Sequence, residues 1–233
     1  MTNKTETVLI LPDMHCPCMY PKFIDFLKKI ADSWQPTRVV HIGDLVDNCA
    51  YSFHEKPASL KDPLAERKEA LGQIKQLTKA FPEVDLMIGN HDSLTERQAI
   101  AAGLDPGVLR GFSDYWGLPS GWTIHQRFDE LEIDGVLYYH GDKGGGGVYA
   151  AANHAKTQFQ SVVIGHFHGN AGVHYLANTN NRVFGMSVGC GVDGRRQAMD
   201  YGKKYTRKPI LGCGVVTDGK QAYFEPMVLS SRS

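Results

Sequence analysis

The chain lacks most of the features that would place it in a special class. Lysine plus arginine equals aspartate plus glutamate at 25 each, so no global field draws it to nucleic acid or to an anionic membrane. No apolar run approaches the roughly 18 residues of a membrane span, and residues 1–6 carry no apolar signal-peptide core. These absences predict a cytoplasmic protein with no membrane partner. Cysteine is scarce: five thiols, at 16, 18, 49, 190 and 213, without a Cys-x-x-Cys pair, indicate neither a disulfide framework nor a zinc ribbon. Cys16 and Cys49 fall beside candidate ligands and read as small packing residues. The glycine run Gly144–Gly147 is followed by no Gly-Lys-Ser/Thr, which excludes a P-loop. It reads either as a loop at a cleft mouth or as a plain connection. No repeat, low-complexity stretch or long linker interrupts the 233 residues, which are 42% hydrophobic and 21% charged. One globular domain over residues 1–233, with length enough for a core, is the expectation.

What is present is one pattern written five times. The apolar run Val8-Leu9-Ile10-Leu11 stops just before Asp13-Met14-His15. Val39-Val40-His41-Ile42 stops at Gly43-Asp44-Leu45-Val46-Asp47, and the run ending Leu86-Met87-Ile88 stops at Gly89-Asn90-His91-Asp92. Val136-Leu137-Tyr138-Tyr139 leads into His140-Gly141-Asp142, and Val162-Val163-Ile164 into Gly165-His166-Phe167-His168. Short continuous apolar runs are the signature of strands buried on both faces. Carboxylate, amide or imidazole side chains at the end of each run place metal-ligand chemistry along one edge of a sheet. Any one such triplet is ordinary loop sequence; the weight lies in their joint, ordered occurrence.

Between these runs the chain alternates strand and helix. Phe23, Phe26, Leu27 and Ile30 have helical spacing over residues 22–32, followed by a breaker at Trp34-Gln35-Pro36-Thr37. Asp62-Pro63 supplies an N-cap and a first-position proline for a helix ending near Ala80. Ser93-Leu94 opens another, and Val108–Trp116 is expected to be helical too. Residues 122–126, 130–133 and 136–139 then read as a β-meander with a turn at Asp134-Gly135. A helix over 148–157 precedes strands at 161–164, 172–176, 182–188, 210–217 and 221–225, the last two joined by the turn Thr217-Asp218-Gly219-Lys220. The order predicts an α/β domain of two sheets with flanking helices.

The candidate ligands are Asp13, His15, Asp44, Asn90, His140, His166 and His168. Seven are too many for one tetrahedral zinc, and a mixture without thiolate is not a structural zinc site. Two ions sharing one carboxylate fit better. Held about 3.5–4 Å apart, such a pair stabilises both the attacking and the leaving oxygen of an in-line displacement and makes hydroxide available near neutral pH. In order and spacing, Asp13-x-His15, Gly43-Asp44-x-x-Asp47, Gly89-Asn90-His91-Asp92, His140 and Gly165-His166-x-His168 resemble the five blocks of the calcineurin-like metallophosphoesterases, and the short prokaryotic or phage-type members most. The resemblance covers residues 13–168. It implies a four-layer αββα sandwich, two mixed sheets flanked by helices, with a dinuclear metal site at strand C-terminal ends. It further implies that Asp13, His15 and His168 hold one metal, that Asn90, His140 and His166 hold the other, and that Asp44 bridges them. By the same resemblance His91 is the proton donor to the leaving oxygen, Asp92 orients it, and Asp47 supports the site from behind. Manganese is the first expectation for both ions, with iron, zinc, nickel and cobalt as alternatives.

The departures narrow the substrate. Where protein serine/threonine phosphatases of the superfamily read Gly-Asp-x-Val-Asp-Arg-Gly and Gly-Asn-His-Glu, this chain has Asn48, Cys49 and Asp92, which disfavours a phosphoprotein. A basic segment carries Arg195, Arg196, Lys203, Lys204, Arg207 and Lys208 with Tyr201 and Tyr205 interleaved and Asp200 the only acid. Arginine forks suit phosphate and tyrosine faces suit a base, so Arg195 and Arg196 are candidate substrate contacts; a solvated loop is the plain alternative. The expected activity is hydrolysis of phosphodiester or nucleotide-type phosphoester bonds by a metal-bridging hydroxide, with a small phosphoester or nucleotide as substrate and single-stranded nucleic acid as a further partner. The alternatives are a nuclease of the same chemistry and a silent metal-dependent phosphate-binding module. Histidines 41, 54, 125, 154 and 174 match no block and are set aside as structural or surface residues. Oligomeric state has no sequence signal.

Overall fold

Strand β1 (Thr7–Leu11) has no exposed face, and the rest of the architecture follows from that. Leu9 and Leu11 point into a core shared with helix α1 (Phe23–Trp34) and helix α2 (Pro63–Ala80), while Val8 and Ile10 point into a second core shared with another sheet. A run buried on both sides has to be apolar throughout, which is why it shows no alternation. The computed structural model describes residues 6–196, 198–199 and 206–229. Tyr201, Lys203, Lys204, Tyr205 and Asp200 of the basic segment lie outside the described residues.

Beside β1 run β2 (Arg38–His41), β3 (Val84–Met87) and β4 (Trp122–His125), each parallel to its neighbour. On the other side β10 (Gly212–Thr217) and β11 (Gln221–Pro226) complete a six-stranded mixed sheet in the order β11-β10-β1-β2-β3-β4. The second sheet has the order β5-β6-β7-β9-β8, from β5 (Leu131–Ile133), β6 (Val136–Tyr139), β7 (Ser161–Ile164), β8 (Ala171–Ala177) and β9 (Arg182–Val188). Its inner face, including Tyr138, Val163, Phe184 and Met186, meets β1 and β2. Its outer face is covered by α5 (Ala150–Gln158), whose small residues Ala150, Ala151 and Ala155 let the helix approach Leu137, Val162 and Ile164. The layers are therefore helices, sheet, sheet, helix: the expected αββα sandwich with two mixed sheets. Among the described residues no helix is long and apolar enough to cross a membrane.

Local signals explain most boundaries. The Asp62 carboxylate accepts the Leu64 and Ala65 N–H groups, capping α2, and Ala70, Ile74 and Leu77 form its buried stripe. Asp134 and Gly135 both have positive φ, at 48° and 76°, as a two-residue hairpin between β5 and β6 requires. Helix α1 continues through Trp34, expected as part of a breaker, because that indole is held by Glu225 and packs on Tyr223.

Two expectations are corrected. Residues 108–116 are not one helix: a single 3₁₀ turn at Pro106–Val108 is separated from α4 (Phe112–Trp116) by Leu109, Arg110 and Gly111. Nor do residues 122–139 form a meander. Only β5 and β6 pair as a hairpin, while β4 lies parallel to β3 in the other sheet, Val84 opposite Trp122. The indole N–H of Trp122 donates to the Phe81 carbonyl at 2.9 Å and its ring is buried in the helix-side core, which commits the strand to the first sheet.

Candidate metal centre

Parallel strands β1, β2 and β3 of one sheet and β6 and β7 of the other end on the same side of the sandwich, and the five ligand blocks follow those ends. Here the chain bends sharply. His15, Asp44 and His166 all have left-handed backbones, with φ of 48°, 50° and 64°. Non-glycine residues adopt this conformation seldom, and clusters of it mark functional sites. The bends are held by main-chain bonds from both Met14 and His15 N–H to the Asp44 carbonyl.

Three groups of ligand atoms lie within 4.8 Å of one another: Asp13, His15 and His168; Asp44, His140 and His166; and His15, Asp44 and His91. Asn90 joins the second group, its Oδ1 standing 2.9 Å from His140 Nε2. Asp44 connects the groups. Its Oδ1 accepts the His91 N–H at 2.8 Å, which leaves Oδ2 at 3.4 Å from His15 Nε2 and 3.2 Å from His140 Nε2. Asp13 Oδ2 accepts the His166 N–H at 2.8 Å and meets His168 Nε2 at 3.1 Å. Each ligand imidazole supported from behind offers its other nitrogen to the centre. His15 Nδ1 is 2.8 Å from Asp47 Oδ1, and His140 Nδ1 is 3.0 Å from the Ile42 carbonyl.

The carboxylates and imidazoles bury one another's charge. Burial works hardest against a charged His15, yet the facing Asp44 and Asp47 carboxylates together hold its pKa well above the ordinary value. His140 follows the same logic: burial opposes, the Asp44 charge and hydrogen bond outweigh it, and the result is about 10. Asp44 is opposed by burial in turn, and the facing imidazoles, His140 first, carry it well below the usual carboxylate range. The buried anions thus demand positive charge, as protons on the imidazoles or as cations between them. Asp13 Oδ1 and His15 Nε2 are both shut from solvent without a hydrogen-bond partner, an arrangement costing about 1–3 kcal/mol per group unless something meets it. Oxygen and imidazole donors without thiolate suit divalent manganese, iron, cobalt, nickel or zinc. The residues fit a pair of divalent cations. None of the ligand groups among the described residues contains a cysteine.

Two glycines make this crowding feasible. A Cβ on Gly89 would stand 2.2 Å from Asp44 Oδ1, and one on Gly165 would stand 2.2 Å from Asp13 Oδ1. The family model for calcineurin-like phosphoesterases matches residues 6–182.

The chain belongs to that family.

None of the curated proteins matches it in sequence. Among solved structures, vacuolar protein sorting 29 from Cryptosporidium parvum is similar at 10% identity and a TM-score of 0.45, covering 96% of this chain and 99% of that one. A phosphoesterase from E. coli, YfcE, is similar at 12% identity and a TM-score of 0.43, covering 90% of each chain.

Around the ligands the remaining candidates take up places of their own. The ring of His91 lies 4.4 Å from that of His15, and its Nδ1 is 2.7 Å from the Asp47 carbonyl oxygen. Asp92 does not perform the orienting role expected of it. Its carboxylate accepts the Val46 N–H at 3.0 Å and the Gly89 N–H at 2.9 Å, stitching the second block to the third. Burial first, then the Asp44 charge, push its pKa up to about 7. Asp47 serves twice, through its carboxylate on His15 and its carbonyl on His91. Arg195 and Arg196 line a cavity of about 420 Å³ that also touches Asp47, Cys18 and Cys49. Both guanidiniums are engaged, Arg195 by Asp193 at 2.7 Å and Arg196 by Glu69. The Cys16 thiol is fully buried and pushed up by that burial, as a packing residue should be.

Sequence reasoning passed over two residues. Asn48, noted there only as a departure, is buried, and its amide donates to the His91 carbonyl at 3.0 Å. His41, set aside as structural or surface, is wholly buried two residues before the second block opens at Gly43, where its Nδ1 accepts the Gly43 N–H at 3.2 Å. The available signal was a polar residue inside a buried strand, at Val39-Val40-His41-Ile42.

Proposed function

We propose that this chain is a dinuclear metal-dependent phosphoesterase that hydrolyses phosphodiester or nucleotide-type phosphoester bonds. The Asp44 carboxylate carries the reading, with Oδ1 tied to the His91 main chain and Oδ2 turned to His15 and His140 at 3.4 and 3.2 Å. Asp13, His15 and His168 hold one cation, Asn90, His140 and His166 hold the other, and Asp44 belongs to both. Manganese is the first choice on donor chemistry. When bound, two divalent cations supply charge neutralisation on the phosphoryl oxygens and activation of water.

The protein's own part is positional and acid-base. With His91 Nδ1–H donating to the Asp47 carbonyl, Nε2 is the bare nitrogen of the neutral ring, and it gives a proton to a departing alcohol only from the imidazolium form. Burial lowers the pKa of that imidazole while the Asp44 charge opposes, so the imidazolium is the minor form near neutral pH and a strong acid when it forms. The Asn48 amide and the Asp44 carboxylate fix the His91 carbonyl and N–H, and the Asp47 carbonyl holds the ring itself. The cavity beside Asp47, about 420 Å³, has the size of sites that take small organic groups, roughly 300–1,000 Å³. It suits the leaving group of a small diester or nucleotide. A substrate phosphate reaching Arg195 or Arg196 has to share the guanidinium with Asp193 or Glu69.

The test is a panel of mono-, cyclic and diesters with protein chelated and then reloaded with Mn²⁺. An aryl phosphodiester is turned over by the wild type, and His91→Ala loses roughly 10²–10⁴-fold while metal content stays the same. Wild type that binds phosphoesters and turns over none of the panel overturns the enzymatic reading. An unchanged rate in His91→Ala removes the acid role.

A further inference from the structure

The second ligand block contains a main-chain group whose partner is unusual. In the turn from β2 to Asp44, the Ile42 N–H donates to the Leu11 carbonyl, the Ile42 carbonyl accepts His140 Nδ1, and the Asp44 carbonyl accepts the Met14 and His15 N–H groups. The Gly43 N–H goes instead to a side chain two residues back, His41 Nδ1, at 3.2 Å. Gly43 itself is wedged. Its φ is 109°, and a Cβ there would stand 2.6 Å from Nδ1 of His140, a candidate ligand. The residue directly before Asp44 is thus gripped by His41 on one side and the His140 ring on the other.

His41 is otherwise hard to account for. It is wholly buried, its neighbours in β2 are apolar, and its ring lies 6.3 Å from that of Trp122 on the helix side of the sheet. Nδ1 accepts, so the proton of the neutral ring is on Nε2, which is buried without a partner. A buried donor left unpaired destabilises the fold, where valine or isoleucine would leave none. Asp13, His15, Asp44 and His140 are the charged groups that face the ring, and burial dominates them, so it stays neutral and keeps Nδ1 as an acceptor.

The geometry points to His41 as a positioning residue for the shared carboxylate: by accepting the Gly43 N–H it locks the left-handed turn that aims Asp44 Oδ2 at both groups of ligands. This rests on the reading of the site as a metal centre, not on turnover. The chemistry asked of residue 41 is one acceptor at the Nδ1 position, and asparagine presents its Oδ1 in much the same place. Phenylalanine or leucine fills the volume beside Trp122 without an acceptor.

The experiment is calorimetric titration of chelated protein with Mn²⁺, together with thermal melting of the metal-free protein. His41→Phe weakens Mn²⁺ binding about 10–100-fold, the usual effect of losing a group that supports a ligand. His41→Asn binds within threefold of wild type, and the metal-free melting temperature of His41→Phe is not lowered. His41→Leu replaces His41→Phe if the latter does not fold. Wild-type affinity in the acceptor-free variants overturns the inference, as does equal weakening in His41→Asn and His41→Phe, which would mark a packing role. Wild type that binds no Mn²⁺ overturns the metal reading itself, an outcome separate from either.

Discussion

Replacing Gly89 by alanine tests the architecture of the centre with a single methyl group. The added carbon would lie 2.2 Å from Asp44 Oδ1, 2.5 Å from the Asp44 main-chain nitrogen and 2.9 Å from its Cγ. Two of the three are the carboxylate and the third is backbone, so no flexible chain end is available to swing aside. Relief of the overlap needs a displacement on the order of 1 Å between the second and third ligand blocks. Overpacking at this scale costs about 1–3 kcal/mol. For a chain of this size that is roughly 2–4 °C of melting temperature per kcal/mol. The larger effect is on function. A 1 Å misplacement of a reacting constellation lowers turnover by about 10²-fold, and Mn²⁺ affinity falls with the Asp44 geometry. Gly72→Ala is the control. That glycine lies inside α2 with nothing within 4 Å of an added Cβ, and the exchange stabilises by about 0.5–1 kcal/mol. Melting of both variants in chelator, Mn²⁺ titration, and turnover of an aryl phosphodiester give the three readouts. If Gly89→Ala bound Mn²⁺ like the wild type and kept its turnover, Asp44 would not be the shared ligand.

Other expectations follow from the same structure. Mn²⁺ binds the folded chain only, so it stabilises the wild type by about 2.7 kcal/mol at a hundred times Kd and the melting temperature rises with its concentration; Asp44→Asn abolishes most of the rise, and an equal rise in both refutes the assignment. Ile74→Ala, deep between α2 and the first sheet, costs about 2–5 kcal/mol by chemical denaturation without changing Mn²⁺ affinity in the surviving folded fraction. Asp85 sits between Arg38 and His125 at 2.9 Å from each; burial raises its pKa, but its hydrogen bonds to Arg38 and His125 outweigh that and the folded value lies below the ordinary 3.8. A depressed carboxylate stabilises above its unfolded pKa and loses that stability as pH falls through the folded value. Asp85→Asn therefore lowers stability at pH 7 and flattens the acid limb below pH about 4. An acid limb identical to wild type refutes the assignment.

The elements that carry ligands were legible in the chain because their signal is local. Val8–Leu11, Val136–Tyr139 and Ser161–Ile164 are strands buried on two faces, and Val84–Met87 departs from this only at the half-buried Asp85. Such strands are apolar at nearly every position, so an apolar run that stops at aspartate, asparagine or histidine marks a strand end with a candidate ligand. The Asp62-Pro63 cap and the Asp134-Gly135 turn were readable for the same reason, since a cap or a two-residue turn is satisfied by its own neighbours.

What depends on distant partners was not legible. Four residues, Trp122 to His125, fit either sheet equally well by pattern, and only the indole bond to Phe81 and the packing around it decide for the first. Asp92 reads as a partner for its neighbour His91, yet the N–H groups of Val46 and Gly89 stand closer to hand once the blocks converge. His41 looked like a stray polar residue until the fold turned its Nδ1 to Gly43. The chain by itself marked the candidate ligands, the strand ends that present them and, through the resemblance, the shared role expected of Asp44. The tertiary structure alone decided which nitrogen of each histidine faces inward and which main-chain groups hold them. Those are matters of ångströms between segments far apart in sequence, where hydrogen-bond direction and burial, not residue type, select the partner.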